Sequence, residues 1–249
     1  MSKKPAIVRY PITDCQPWLV AGTSTRHIKH KSADRLGIAL EYSSMLTNSV
    51  SSVVCSQQIH EDKIAVFRTS YHEHKITMLR NCDGMIAEIP SIMLQVVTAD
   101  CVPVFFADKV SRIVGIAHCG WKGTYLNLTG KMIKVFEQFG THTKDLIVWT
   151  GPAICGDCYE ISEDLAAQFK SRFGNELTEK GIIRGRYLNL PMLNYWQAQQ
   201  MGVNIHWQDD RKMCTRCNNA LFPSYRVEGV SAGRIISAIM NKKNAQHED

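Results

Sequence analysis

Three short runs in the middle of the chain carry its clearest pattern of apolar positions. Ile92 to Thr98 (IMLQVVT), Val102 to Ala107 (VPVFFA) and Arg112 to Ala117 (RIVGIA) are rich in β-branched and aromatic residues, and the turn-like DKVS separates the last two. This predicts adjacent buried strands, the last pair forming a hairpin. Beyond them, Leu126, Thr129, Met132, Ile133, Phe136 and Phe139 recur at helical spacing, with Gly140 as a stop. Leu146 to Trp149 reads as a strand ending at Gly151-Pro152. Ser162 then caps a helix carrying Leu165, Phe169 and Phe173, with Glu163 and Asp164 in the first turn where the helix dipole favours them. Met192 to Met201 reads as a helix and Val203 to Trp207 as extended, and Leu221 to Val227 and Arg234 to Met240 are apolar. Strands and helices mix without strict alternation. The predicted class is therefore α+β, a single domain over residues 1–240 with mixed β-sheets packed with helices, followed by a disordered polar tail at 241–249.

Composition narrows the function classes. The chain has 249 residues, 45% of them hydrophobic, enough for a full core. No apolar run is long enough to cross a membrane, and MSKKPAIVRYPITD lacks the apolar stretch and cleavage site of a leader, so the sequence predicts a cytoplasmic protein. A net charge of +6 comes from scattered lysines and arginines. On charge alone nucleic-acid binding is not indicated, and a small anionic substrate suits the balance equally well; the expected partners are small molecules, with no nucleic acid and no membrane. Nine cysteines, an odd number without a secretory signal, argue against a disulfide framework and for metal binding, a reactive thiol or buried thiols.

The candidate chemistry sits at the ends of the central strands. Cys101 follows Asp100 and precedes one strand, and His118 ends the next, seventeen positions later. If the two strands pair, both side chains emerge at the same end of the sheet. His60, in CSQQIH, is a third candidate: two imidazoles and one thiolate would give zinc three ligands and leave a position open, the pattern of a catalytic site. Gly120 and Gly123 bracket Trp121 and Lys122 in a turn that could bring backbone and a positive charge to an anion. Taken alone, the spacing equally allows a buried thiol and hydrogen-bonded core histidines. Two CxxC pairs, Cys155 with Cys158 and Cys214 with Cys217, have knuckle spacing and could together hold a structural zinc, although more than fifty residues separate them. His72 and His74 in YHEHK read as an exposed loop, and Tyr195 and Trp196 as core.

QQIH, CDGMI, TADCVPVFFAD, GIAHCGWKG, WTGPAICGDCYEI, LNLPMLNYWQ and CTRCNNALFPSYRVEGVSAGR follow one another from about residue 55 to residue 240. In that order they resemble the bacterial family first labelled multicopper polyphenol oxidoreductases or laccase-domain proteins, now read as purine nucleoside phosphorylases with adenosine deaminase activity. The resemblance implies a metal site of His60, Cys101 and His118 holding zinc or copper. It also implies phosphorolysis of adenosine, inosine and methylthioadenosine, with deamination of adenosine. Arg26, Tyr225 and Arg226 match, and Lys122 occupies, the family's substrate and phosphate positions. Lys122 stands where the family has Arg, replacing a bidentate fork by a point charge. The family's double glycine after STR and its second Arg after SYR are missing.

Phosphorolysis requires phosphate beside C1′ of the ribose, for which Lys122, Arg26 and Arg226 are the candidates. Deamination requires an activated water, which a metal supplies by lowering its pKa to near 7, and an acid or base, for which Asp100 and Asp83 are the candidates. Three other readings use the same residues. One is a single-copper polyphenol oxidase. Another is a metal-free thiol hydrolase, or amidase editing peptidoglycan precursors, with Cys101 as nucleophile and His118 as base. The third is a nonenzymatic binding protein.

Overall fold

Val102–Asp108 shows how this sequence makes its layers, because it is apolar on both faces and therefore has to be covered twice. Val104 and Phe106 face a cluster that includes Met132, Phe136, Phe169 and Leu193 of the helices. Phe105 and Ala107 face the opposite way, toward Leu94, Val96 and Ile239 of a second sheet. Each phenylalanine is fully buried, which contributes about 1.5–3 kcal/mol per side chain. The computed structural model describes residues 5–29, 31–68, 75–205 and 211–243.

Two sheets lie face to face. The five-stranded sheet runs in the order Leu146–Thr150, Val102–Asp108, Val114–Cys119, Gly84–Ala87, Ile64–Phe67, and the helices Leu128–Gln138 and Leu190–Gln200 cover its outer face. The six-stranded mixed sheet runs Ile7–Arg9, Leu19–Ser24, Ile235–Asn241, Ile92–Thr98, Ser52–Gln57, Ile76–Arg80. Its outer face packs Val20, Met93 and Met240 against Tyr42 and Leu46 of the helix Arg35–Leu46. The result is one α+β domain of mixed sheets packed with helices.

The hairpin expected from the apolar runs is present: Val102–Asp108 pairs antiparallel with Val114–Cys119, with Pro103 opposite His118. Ile92–Thr98 differs from expectation. It belongs to the six-stranded sheet, and the chain crosses between sheets at residues 99–101, where Asp100 adopts φ +87°. Apolarity on both faces reports burial, and it is the same whichever sheet a strand joins. The predicted helices and their stops are found: Ser162 caps Glu163–Phe173, its side chain accepting from the Leu165 amide at 3.2 Å, and Gly140 takes φ +83° beyond Leu128–Gln138.

The last strand runs to Asn241, the first residue assigned to the tail, which is buried and donates through its side chain to the Arg112 carbonyl at 2.6 Å. His72, His74 and tail residues 244–249 lie outside the described residues. Among the described residues, no helix is long and apolar enough to cross a membrane.

Candidate metal centre

The centre forms at one end of the gap between the sheets. Strand register dictates this: Pro103 pairs with His118, and the next strand, Gly84–Ala87, pairs Gly84 with Ala117. Side chains alternate along a strand, so Cys101, two residues before Pro103, and Asp83, just before Gly84, emerge on the same face as His118. His60 comes from the other sheet, three residues beyond Ser52–Gln57, with φ +61°. The potential ligand atoms of His60, Cys101 and His118 lie within 4.8 Å of one another. The two imidazoles stand edge to face, 4.7 Å between centroids at 84°.

Asp83 is fully buried and holds the arrangement from behind. Its carboxylate accepts from His118 Nδ1 at 2.8 Å and from the backbone amides of Ile59, His60 and Glu61 at 3.1 Å each. That fixes the His118 tautomer so that Nε2 faces Cys101, and it clamps the loop that carries His60. Burial alone would raise the Asp83 carboxyl, but His118 and the amides outweigh it and hold it below its ordinary range. Burial likewise opposes ionisation of Cys101, yet hydrogen bonds from His118 and His60 bring the thiol down to about 6. For His118, burial is outweighed by Asp83 and Cys101, which push the imidazole up to about 9. The protein without metal thus holds a thiolate beside an imidazolium.

Gly120 keeps the middle of the trio open. A Cβ there would lie 3.1 Å from Cys101 Sγ, 3.2 Å from His60 Cδ2 and 3.9 Å from His118 Cε1. Two imidazoles, one thiolate and a space that a methyl would fill suit zinc or a single copper, with a coordination position left over.

The trio lies at a cleft of about 380 Å³. Around it stand Arg35, Gln58, Val97, Thr98, Tyr225 and Arg234. Several of these lie at or near the C-terminal ends of the parallel strands Ser52–Gln57 and Ile92–Thr98. Arg35 reaches the Ser56 carbonyl at 2.8 Å, and Arg234 bonds the Ala232 carbonyl at 2.7 Å. Sequence reasoning did not single out either arginine. Arg234 closes the SYRVEGVSAGR motif, which was the available signal, whereas Arg35 opens a helix in the N-terminal stretch STRHIKHKSADRLGIAL, where the match to the family is poor.

The other expected site residues divide. Tyr225 lines the cleft and is 53% exposed. Lys122, Arg26 and Arg226 are not among the cleft's lining residues. The Gly120–Gly123 stretch is a helix start, with Gly120 as cap of Trp121–Tyr125, and Lys122 Nζ lies 5.5 Å from the Trp121 ring centroid. Arg26 pairs with Glu228 at 2.5 Å and holds that carboxyl down to about 2. Arg226 donates to the Glu160 carbonyl at 3.0 Å and lies over the Tyr159 ring. Asp100 is buried with both oxygens engaged, one by the Thr215 hydroxyl at 2.5 Å and the other by the Arg226 amide at 2.6 Å.

The family model described as multi-copper polyphenol oxidoreductase laccase matches residues 32–242. The chain belongs to this family. A relative, purine nucleoside phosphorylase YlmD of Bacillus subtilis (strain 168), is 28% identical over 228 residues, covering 87% of this chain and 81% of its own length. Adenosine deaminase RL5 from an unknown prokaryotic organism is 26% identical over 215 residues, covering 84% and 80%. Among solved structures, Bacillus licheniformis hypothetical protein YfiH superposes with TM-score 0.79 at 25% identity, covering 96% of this chain and 97% of that one. Despite the family's description, the described residues contain only two clusters suited to metal, the trio above and a set of four cysteines.

Proposed function

We propose that the protein is a metal-dependent purine nucleoside enzyme, carrying out phosphorolysis of adenosine, inosine and methylthioadenosine and deamination of adenosine. The observation that carries this reading is the His60, Cys101 and His118 donor set beside a cleft of nucleoside size that is also lined by two arginines. The names of the relatives, one a phosphorylase and another a deaminase, support the substrate class.

In phosphorolysis a phosphate oxygen bonds to C1′ as the C1′–N9 bond breaks. The electron pair leaves with the purine, which takes up a proton, giving the free base and a pentose 1-phosphate. Arg35 and Arg234 hold the phosphate, since both line the cleft, while the charge of Arg26 is already met by Glu228. Tyr225, exposed at the rim, offers a face on which a purine can stack. Val97 and Ala99 supply the apolar wall.

In deamination a water oxygen bonds to C6 of adenine and ammonia leaves. A zinc ion held by His60, Cys101 and His118 would supply Lewis acidity and lower the pKa of water to near neutrality. Asp83 orients His118. Asp100, both of whose oxygens are engaged, positions the Cys101 crossover and the Tyr225–Glu228 turn.

One observation favours a second reading. Cys101, His118 and Asp83 are arranged as a nucleophile, its base and the carboxylate that orients the base, which without metal is the layout of a thiol hydrolase or amidase. Chelation and alkylation separate the two. The purine enzyme loses activity when the metal is stripped and regains it on adding zinc. A thiol hydrolase keeps its activity through chelation and loses it to iodoacetamide.

A further inference from the structure

The second cluster suited to metal lies outside the cleft. Cys155, Cys158, Cys214 and Cys217 come from two turns far apart in sequence, yet their sulfurs all lie within 4.8 Å of one another. Four thiolates around one zinc at about 2.3 Å would sit about 3.8 Å apart, and the Cys158 and Cys217 sulfurs are 3.4 Å apart. A disulfide would need about 2.05 Å, and all four thiols are free.

We propose that Cys155, Cys158, Cys214 and Cys217 form a closed structural zinc site, separate from the His60, Cys101 and His118 centre. The backbone is built for it. Cys158 N–H returns to the Cys155 carbonyl at 3.0 Å, and Cys217 N–H to the Cys214 sulfur at 3.4 Å, so each CxxC forms a tight turn. Cys155 N–H also donates to the Cys214 sulfur at 3.3 Å, from the opposite turn. Plain core filling does not account for the set, because Cys217 is exposed and Cys158 only half-buried, whereas a structural thiol that merely packs is buried. As thiols these four sulfurs could lie close together uncharged, but as thiolates they would need a cation among them, and four sulfur ligands would leave no position open for substrate.

The site has a task in this fold. A β-bridge joins Ala153 to Cys214, and the neighbouring Thr215 donates its hydroxyl to Asp100 at 2.5 Å. Ile154 N–H bonds the Asp100 carbonyl at 3.0 Å. Fixing the two turns together therefore fixes both sides of the crossover that carries Cys101. The bound metal would act as a staple behind the catalytic wall.

Zinc content of protein purified under reductant, loaded with zinc and dialysed, tests the proposal. Wild type is expected to retain about two zinc ions per chain, and Cys101→Ala about one. With cobalt in place of zinc, Cys101→Ala should show the strong sulfur-to-metal absorption of a tetrathiolate, and Cys158→Ser with Cys217→Ser should lose it. If that double variant fails to fold, the Cys101→Ala stoichiometry still decides. Zinc-free Cys101→Ala after loading would overturn the proposal, and so would a Cys158–Cys217 disulfide in the loaded, reduced protein.

Discussion

Asp83 Oδ1 lies 2.8 Å from His118 Nδ1, and the same carboxylate collects the amides of Ile59, His60 and Glu61. One buried side chain thus positions two of the three candidate metal ligands, drawn from different sheets. Asp83→Asn should weaken metal affinity by about 10- to 100-fold, because an amide can leave Nδ1 without its acceptor and give the wrong tautomer. Competition with a zinc chelator measures this, and unchanged affinity would remove Asp83 from the account.

Gly120→Ala should separate folding from metal binding. The backbone at Gly120 has φ −70° and ψ −179°, which alanine adopts freely, but its Cβ would stand 3.1 Å from Cys101 Sγ. The metal-free variant should unfold near the wild-type temperature while binding metal at this centre much more weakly. Equal affinity for both proteins would show that the space between the donors is not needed.

The thiolate at Cys101 sets a pH dependence. Its folded pKa is about 6, below the ordinary thiol value, so in chelated protein the alkylation rate should rise as pH increases through about 6 and then level off. The linked stability follows the same sign. The depressed thiol contributes above its ordinary pKa and is lost as pH falls through about 6. The raised imidazole of His118 contributes below its ordinary value and is lost as pH climbs through about 9. Alkylation of Cys101 that begins only near pH 9 would rule out the pairing.

Arg35→Ala and Arg234→Ala should each raise the KM for phosphate by about tenfold or more, the usual loss of a hydrogen bond to a charged group. Arg26→Ala, which breaks the Glu228 pair away from the cleft lining, should act mainly on thermal stability. Steady-state kinetics at varied phosphate distinguish these assignments from one in which Arg26 holds the anion.

Phe105 tests the layer architecture. Its ring stacks on Trp149 with 5.0 Å between centroids, between the two sheets. Phe105→Ala should cost about 3–5 kcal/mol in chemical denaturation.

Much of this was readable in the chain because the relevant signals are local. The apolar runs around DKVS gave the hairpin, and the hairpin alone brings Cys101 and His118 to one end of a sheet. His60 entered through the donor set it completes and through a family resemblance, since its approach depends on packing between sheets. Asp83 was singled out as an acid or base. That it is buried and spent on hydrogen bonds is a tertiary fact that no spacing encodes. Arg35 and Arg234 escaped because a cation on a helix start or before a strand looks like any solvated charge until the fold turns it toward a cleft. The four cysteines show the reverse case. Their spacing was visible but ambiguous, and it takes tertiary contacts such as the bridge between Ala153 and Cys214 to bring the turns together.

The most direct measurement is product analysis by chromatography after incubating zinc-loaded protein with adenosine, with and without phosphate, using Cys101→Ala as control. Adenine and ribose 1-phosphate are expected only when phosphate is present and inosine without it, both abolished in Cys101→Ala. Absence of any purine product from the metal-loaded wild type, or full activity in Cys101→Ala, would contradict the purine-enzyme reading.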